Sequence, residues 1–241
     1  MATFLLVHGA WLGGWFWGRV RNELHDAKQN VLAPTLTGLG ERAHLATPEV
    51  GLETHIRDIS AVIEYEAIHK IVLVGHGYGG MIISALAARH PGKFTHAVFV
   101  DAVVPEEGES FFDVIGADAA EKLRQAAKQR GEGWRVPFDT PFPDWGITSE
   151  VDLRYTNYRM TPHPLKTFSD KLEPGQEAAP TAPRVPHIFI RCTKPALSRI
   201  ETSAQRARAA GWRYHEIQAG HAAPVTAPRD LARLLLALHE A

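Results

Sequence analysis

The chain has 241 residues, with 26 basic and 27 acidic side chains and a formal net charge of −1. This balance excludes the basic surface that nucleic acid or an anionic membrane requires. We therefore expect a small-molecule substrate and neither of those partners. The length suits one domain with a large core, and nothing in the composition argues against a homodimer.

The single cysteine, Cys192, excludes an internal disulfide and a cysteine-based zinc site. The run Met1–Val7 is shorter than the apolar region of a secretory signal and has no basic segment before it. No stretch approaches the roughly 20 apolar residues that span a bilayer. The sequence thus predicts a cytoplasmic protein.

Short β-rich runs alternate with helical patterns along the chain, which is typical of parallel βαβ units. The predicted strands are Thr3–Val7, Asn30–Ala33, Ile71–Val74, Ala97–Val100, His187–Arg191 and Tyr214–Ile217. The predicted helices are Glu53–Tyr65, Met81–Arg89, Ala117–Gln129, Glu201–Ala210 and Pro228–His239. Because the middle strands are apolar throughout, helices are expected on both sheet faces. The fold class is therefore α/β, with a doubly wound, mostly parallel six-stranded sheet.

Residues 105–183 interrupt this alternation with a stretch rich in proline, glycine and aromatic side chains. Only Ala117–Gln129 shows clear helical periodicity there. The aromatic side chains need a surface to pack on, so we expect a small cap inserted after the fourth predicted strand. Residues 1–104 and 184–241 would then form the core, and Glu173–Arg184 would be the return from cap to core.

The segment Ile71–Met81 has the pattern of a strand, a glycine-rich turn and a helix. Gly75 and Gly79 occupy the outer positions of a G-x-S-x-G nucleophile elbow, and Gly77 stands at its centre. An elbow holds its central residue at positive φ, which glycine adopts without strain. A generic glycine-rich turn is the plain alternative. A dinucleotide site is disfavoured because the G-x-G-x-x-G spacing is absent and the turn does not follow the first strand.

Two further landmarks accompany this turn. Ala10 and Trp11 follow the first strand, where their backbone amides are expected to line an oxyanion hole together with the amide of Tyr78. His221 follows Gly220 between the last strand and the last helix, which is the position of a hydrolase catalytic histidine. A polar loop histidine is the alternative.

Several segments together resemble the small bacterial esterases related to plant methylesterases and hydroxynitrile lyases, within the α/β-hydrolase superfamily. They are Phe4–Trp11, Pro34–Arg42, Val74–His76, Val100–Ala102 with Pro105, Thr161–Pro162, Pro164–Leu165, Arg191–Thr193 and the His221 region. The resemblance implies a six-stranded α/β-hydrolase core with a small cap and no cofactor. It also implies a pocket for compact, mostly apolar esters or carbonyl compounds.

The departures from this family concern the catalytic residues. Gly77 stands where the family has its serine, so no side chain is available there for an acyl-enzyme. The segment after Cys192 lacks the aspartate of many relatives. Asp101, at the end of a core strand, is the first candidate to orient His221, with a turn carboxylate as its alternative role. Glu201 is the second candidate.

We expect five residues to line the substrate pocket: Trp11, Leu12, Trp134, Tyr155 and Tyr158. Their side chains favour an apolar or aromatic ligand. No metal is expected, because the thirteen histidines include no H-E-x-x-H spacing.

Two histories fit Gly77: an introduced substitution in an esterase, or a natural change in an enzyme that needs no serine. The missing aspartate favours the natural change. His221 would then be a general acid or base in proton abstraction, elimination, cyclisation or retro-addition, which resembles lyase chemistry in the same family. The competing hypothesis is a ligand-binding pseudohydrolase or receptor, and the retention of His221 weighs against it.

Overall fold

The computed structural model describes residues 1–173 and 185–240. Its main sheet has six parallel strands in the order β2-β1-β3-β4-β7-β8. These are β1 (Thr3–Val7), β2 (Asn30–Leu32), β3 (Ile71–His76), β4 (Phe94–Val100), β7 (His187–Cys192) and β8 (Arg213–Ile217). The short strands β5 (Arg135–Val136) and β6 (His163–Pro164) form a separate antiparallel pair.

Ten α-helices are present in the described part of the chain. They are α1 (Gly18–Asp26), α2 (Leu52–Tyr65), α3 (Gly79–Arg89), α4 (Phe111–Ile115), α5 (Ala117–Arg130), α6 (Glu150–Asn157), α7 (Lys166–Ser169), α8 (Glu201–Ala209), α9 (Ala223–Thr226) and α10 (Pro228–Glu240). None of the described helices is long and apolar enough to cross a bilayer.

Helices cover both faces of the sheet. Phe4 and Leu6 of β1 belong to a core cluster with buried residues of α1 and α10. Leu5 and Val7 belong to the opposite cluster, with residues of α2, α3 and α8. This period-2 division is what a strand with two buried faces requires. The doubly wound parallel sheet predicted from the sequence is confirmed.

The carboxyl ends of the strands gather the candidate residues at one edge of the sheet. The chain crosses from β1 to β2 on one side and then returns to β3 on the other, so β1 and β3 flank a topological switch point. Ligands bind at such points in open α/β sheets. Ala10 follows β1, Gly77 follows β3, Asp101 follows β4, and His221 lies in the loop after β8.

All six predicted core strands are confirmed, with ends that differ by up to three residues. The insert between β4 and β7 departs from the prediction of a single helix, because it contains α4 to α7. Two of these helices begin at serine caps, where the hydroxyls of Ser110 and Ser149 accept from the amides of Asp113 and Asp152. Helix α1 was not predicted either. Most of the predicted return segment, residues 174–184, lies outside the described residues.

The helix after β3 can pack against the loop after β4 only because residue 80 has no side chain. A Cβ at Gly80 would overlap the carbonyl oxygen of Val103. We expect Gly80→Ala to lower the free energy of unfolding by about 2 kcal/mol or more, since overpacking against backbone typically costs about 1–3 kcal/mol. Urea unfolding measures this change. Gly92→Ala, where a Cβ would meet no atom within 4 Å, is the matched control. Equal stabilities of the two variants would contradict this packing.

Candidate active site

The turn from β3 into α3 has the geometry of a nucleophile elbow. Gly77 has φ +53°, as predicted for the central residue. A Cβ at Gly75 would lie 3.0 Å from the Gly79 carbonyl oxygen, and one at Gly79 would lie 2.8 Å from the Val7 carbonyl oxygen. Both neighbouring glycines are therefore required for packing. Gly77 is different, because its Cβ position meets a side-chain nitrogen, His221 Nε2, at 3.3 Å, and the nearest backbone atom, Gly9 Cα, lies at 3.7 Å.

His221 faces that position. A Cβ at Gly77 would lie 3.3 Å from His221 Nε2, 3.5 Å from His221 Cε1 and 3.7 Å from Gly9 Cα. On its other side, the ring places Nδ1 2.8 Å from Asp101 Oδ2. Since a carboxylate only accepts, Nδ1 carries the proton, and the lone pair of Nε2 is directed to residue 77. Both side chains are buried.

Asp101 is held by a second, independent set of contacts. Its Oδ1 accepts from the Arg191 guanidinium at 2.7 Å and from the Cys192 amide at 3.1 Å. Its φ of +43° lies in the left-handed region, which is costly for a residue with a Cβ. Glu201, the other carboxylate considered from the sequence, is 3.5 Å from Arg191 and half exposed. The structure therefore brings Asp101, and not Glu201, to His221.

Two backbone amides are available beside this pair. Within the described residues, the amides of Ala10 and Tyr78 make no hydrogen bond. Trp11, the third predicted oxyanion donor, differs: its amide donates to His163 Nδ1 at 3.3 Å. The prediction that the Trp11 amide lines the oxyanion hole needs correction, because His163 of the insert already accepts a hydrogen bond from this amide. Two donors remain as candidates for a carbonyl oxygen.

Trp11 is fixed entirely by the insert. Its backbone has φ +64°, an unusual conformation for a bulky residue. Its indole Nε1–H donates to the Val136 carbonyl at 2.9 Å, and its own carbonyl accepts from the Thr161 amide at 3.1 Å. These contacts and the one to His163 hold the strained loop next to Ala10.

The side chain of Tyr78 is locked as well. Its hydroxyl lies 3.1 Å from His55 Nδ1, and His55 Nε2 lies 2.9 Å from the Thr37 carbonyl. Because a carbonyl only accepts, His55 donates from Nε2 and accepts the Tyr78 hydroxyl at Nδ1. His163 packs edge-on to the Tyr78 ring, with centroids 4.9 Å apart. The amide of Tyr78 is thereby anchored from its own side chain.

Four further buried histidines surround the site in the neutral form. Burial lowers the pKa of His8 to about 3 and that of His55 to about 4. Burial, with a contribution from His221, lowers the pKa of His76 well below its usual value. Burial and neighbouring histidines do the same to the pKa of His163. His76 donates from Nε2 to the His221 carbonyl at 2.8 Å, so it positions the loop and does not face residue 77.

The wall next to His221 comes from a residue that the sequence did not single out for the pocket. The Trp145 ring meets the His221 ring edge-on, with centroids 4.8 Å apart, and Phe138 packs on Trp145 at 5.0 Å. A Cβ at Gly220 would lie 2.6 Å from the Trp145 carbonyl oxygen. Residue 220, just before His221, must therefore be glycine, because the backbone of the insert at Trp145 crosses this loop too closely for a side chain.

Three of the five predicted pocket residues either contact other residues or are exposed to solvent. Tyr155 donates its hydroxyl to the Trp15 carbonyl at 2.8 Å, and Tyr158 is 72% exposed. The ring of Trp134 is covered by the Arg135 guanidinium at 4.8 Å. Leu12 and Trp11 are buried at the loop after β1. Trp11 packs near Trp145, with ring centroids 6.4 Å apart. In the described part of the chain, Trp134, Tyr155 and Tyr158 make no ring contact with His221.

Cys192 is buried, and burial raises the pKa of its thiol well above the usual value. The thiolate is the nucleophilic form, so this cysteine is inert at neutral pH. Its amide, and not its sulfur, takes part in the site.

The buried neutral histidines make the protein sensitive to mild acid. Their folded-state pKa values lie below the unfolded value of 6.5, so the unfolded chain binds protons first as the pH falls. Their contribution to stability is full above pH 6.5. We expect the free energy of unfolding to fall below that pH by up to about 1.4 kcal/mol per pH unit for each histidine.

Urea unfolding at pH 7.5, 6.0 and 5.0 checks this, in a range above most carboxylate titrations. His163→Gln removes one titrating group and serves as the comparison, with a shallower pH dependence expected. A stability that stays constant over this range would contradict the neutral buried state.

The positive φ at residue 77 predicts a stability difference. Glycine adopts this conformation freely, whereas a residue with a Cβ pays strain of about 1–3 kcal/mol. We therefore expect Gly77→Ser to melt at a lower temperature than the native chain, in differential scanning calorimetry. Gly77→Ala should show the same loss, because the strain comes from the Cβ and not from the hydroxyl. A stabilised Gly77→Ala would contradict the φ assignment.

Comparison with known proteins places these observations in a family. The alpha/beta hydrolase family matches residues 4–234. The carbendazim hydrolyzing esterase of Nocardioides sp. (strain SG-4G) is 35% identical over 247 aligned residues, which cover 99% of this chain and 100% of that protein.

Two solved structures share the fold. An extracellular alpha/beta-hydrolase from a Paenibacillus species, with homology to tobacco salicylic acid binding protein 2, superposes with a TM-score of 0.82 at 22% identity, covering 98% of both chains. Tomato methylketone synthase I, complexed with 2-tridecanone, superposes with a TM-score of 0.81 at 21% identity, covering 99% of this chain and 98% of that one. The chain belongs to the alpha/beta hydrolase family and, within it, to the esterase group.

Proposed function

We propose that this protein is an enzyme that uses His221 as general acid and base on a small apolar or aromatic ester or carbonyl compound. In this proposal Gly77 occupies the position of the family's nucleophilic serine, so no acyl-enzyme forms at residue 77. The observation that carries the proposal is the 3.3 Å between His221 Nε2 and the Cβ position of Gly77. A serine hydroxyl at that Cβ would be within hydrogen-bond reach of the base.

The proton-transfer part follows from the His221 tautomer. Nδ1–H is committed to Asp101 at 2.8 Å, so Nε2 is the free basic nitrogen. It removes a proton from the bound ligand, and the resulting imidazolium is stabilised by the Asp101 carboxylate. The same nitrogen then returns the proton to the leaving atom or to the product. Because Asp101 is also paired with Arg191, it stays anchored while the imidazole changes charge.

The amides of Ala10 and Tyr78 supply the electrostatic part. Negative charge that develops on the ligand's carbonyl oxygen is stabilised by two fixed N–H donors, which need no reorganisation during the reaction. Trp11, clamped by the insert, and Tyr78, locked by His55, keep these donors in place. Removing one such donor typically costs about 10²–10³ in turnover, so this rigidity matters for rate.

The relatives support the substrate class. The 35% identical relative is named a carbendazim hydrolyzing esterase, and methylketone synthase I was solved with the ketone 2-tridecanone. The aromatic wall of Trp145, Trp11 and Phe138 suits a ligand of the same apolar character. From these names we carry over to this chain only the substrate class, which is esters and ketones with an apolar part.

The competing candidate is a receptor that binds such a ligand without turnover, and Gly77 is the observation that favours it. His221→Gln separates the two hypotheses. With the aromatic ketone acetophenone as the probe, binding is followed by the fluorescence of Trp145 and the other tryptophans, and turnover by the exchange of the ketone's methyl hydrogens in deuterated water. An enzyme loses turnover in the variant, whereas a receptor shows no turnover in either chain and keeps its affinity.

Restoring a hydroxyl at residue 77 tests the elbow assignment. The native chain should hydrolyse short nitrophenyl esters near the background rate, since loss of a triad serine costs about 10⁶ in turnover. We expect Gly77→Ser to raise ester hydrolysis by at least about 10³-fold, because base, carboxylate and oxyanion donors are already present. The release of nitrophenol measures the rate.

Two variants control this experiment. Gly77→Ala adds the Cβ without a nucleophile and should stay at the native rate. Gly77→Ser combined with His221→Gln should lose most of the gain. If Gly77→Ser is folded by circular dichroism but inactive on a broad ester panel, residue 77 is not the nucleophile position and the proposed function fails.

A further inference from the structure

An open cavity lies between the insert and the core, away from the candidate active site. It has a volume of about 1000 Å³ and is bordered by helix α5, by residues 139–144 of the insert and by residues 198 and 199 of the core. Among the described residues that line it, there is none of Gly77, Asp101 and His221. Its size suits a small organic molecule.

The charged side chains of this cavity differ in burial. Five of them are exposed: Asp118, Lys122, Arg130, Asp139 and Asp144. The guanidinium of Arg130 is already paired with the carboxylate of Asp139 through both of its terminal nitrogens. Arg199, by contrast, is partly buried, and burial lowers the pKa of its guanidinium. The cavity thus holds one cation that is partly shielded from water.

Arg199 has hydrogen-bonding capacity that the described part of the chain does not use. Its Nη2 donates to the Thr140 hydroxyl at 3.0 Å, which is its single hydrogen bond among residues 1–173 and 185–240. A guanidinium carries several N–H donors in a planar fork, so most of them remain for a ligand. The charge of Asp144 raises the pKa of Arg199, but no described carboxylate forms an ion pair with it. A shielded charge without a paired anion is costly, and a bound anion would offset that cost.

The rest of the lining indicates which anion fits. Three cationic and three anionic side chains line the cavity, so a ligand with two negative charges would meet no excess of positive charge. One carboxylate matches the planar fork of Arg199 with two parallel hydrogen bonds. Ile115, Leu123 and Ala126 add apolar surface to the same cavity. The lining therefore favours a monocarboxylate with an apolar part over phosphate.

We propose that this cavity is a second ligand site, which binds the carboxylate of a small organic acid on Arg199 and its apolar part on the side chains of α5. The inference does not depend on the proposed function, because no residue of the candidate active site takes part. Trp145 follows directly after Asp144, and its ring lies 4.8 Å from that of His221. A bound acid would therefore restrain the segment that carries the wall of the candidate active site.

Hexanoate is the probe, because it joins one carboxylate to an apolar chain. Its binding to the native chain is measured by isothermal titration calorimetry at pH 7.5, with 1-hexanol and inorganic phosphate as comparisons. We expect saturable binding of hexanoate. The other two compounds should bind at least about tenfold more weakly, since a hydrogen bond to a charged group typically contributes about that factor.

Variants of the arginine test its role. Arg199→Gln removes the charge and should weaken hexanoate binding by about tenfold or more. Arg199→Lys keeps the charge without the planar fork, so its affinity should be intermediate. Arg233→Gln is the matched control, because this arginine lies outside the cavity lining and its side chain is 79% exposed. Its affinity should equal that of the native chain.

The stability of unliganded Arg199→Gln separates a binding role from a structural one. We expect this variant to melt no lower than the native chain in differential scanning calorimetry, because it loses a shielded charge that has no ion pair in the described chain. A lower melting temperature would overturn the inference, since Arg199 would then serve the fold.

Hydrogen exchange followed by mass spectrometry locates the ligand. We expect hexanoate to slow exchange in α5 and in residues 139–145, and its affinity to be unchanged in His221→Gln. The inference is overturned if hexanoate binds no better than 1-hexanol, or if Arg199→Gln binds it as tightly as the native chain. It is also overturned if protection appears at the turn between β3 and α3 and is lost in His221→Gln, because the acid would then occupy the candidate active site.

Discussion

The hydrogen bond between His221 Nδ1 and Asp101 Oδ2 is the interaction on which the rest of the site depends. It sets the tautomer of the imidazole and directs the basic Nε2 to residue 77. The carboxylate can make this bond with one oxygen because Arg191 and the Cys192 amide hold the other. A buried carboxylate without such partners would be too costly to keep ionised. The residue after β4 thus supplies the carboxylate that bonds to His221, although its backbone must adopt a positive φ to do so.

Strain in this site is located at the residues that position the chemistry. Trp11 and Asp101 both occupy the left-handed region, and each is held there by several hydrogen bonds. Gly77 also adopts a left-handed backbone conformation, but without strain because it has no Cβ. The described structure therefore holds Asp101, His221 and Trp11 in place, while Gly77 beside His221 is unstrained. This combination is what the proposed catalysis by a positioned base requires.

The sequence predicted the parts of the molecule that depend on local patterns. Apolar runs located the six strands, and the glycine-rich turn after β3 located Gly77 with its positive φ. Chain order pointed to His221, and the end of a core strand pointed to Asp101. What the sequence did not give were contacts between distant segments: the Trp145 ring on His221, the His163 contact with the Trp11 amide, and the anchoring of Tyr78 by His55.

The same limit explains why the pocket residues were not predicted correctly from the sequence. Composition indicates that the insert is aromatic, but it does not tell which aromatic side chains turn toward the histidine. Tyr155 and Trp134 instead pack beside arginine guanidinium groups, an arrangement with no signature in the spacing. The helices α4 and α6 had usable signals in their serine caps, since serine followed three residues later by aspartate marks a helix start. Those signals would have improved the prediction for the insert.

The tautomer of His221 is measured most directly by ¹⁵N NMR of histidine-labelled protein at neutral pH, with the His221 signals assigned by difference from His221→Gln. We predict that Nδ1 is protonated and strongly hydrogen-bonded, that Nε2 is unprotonated, and that Asp101→Asn disturbs this tautomer. A His221 ring protonated at Nε2, or one whose signals are unchanged in Asp101→Asn, would contradict this prediction, because the base would then not face residue 77.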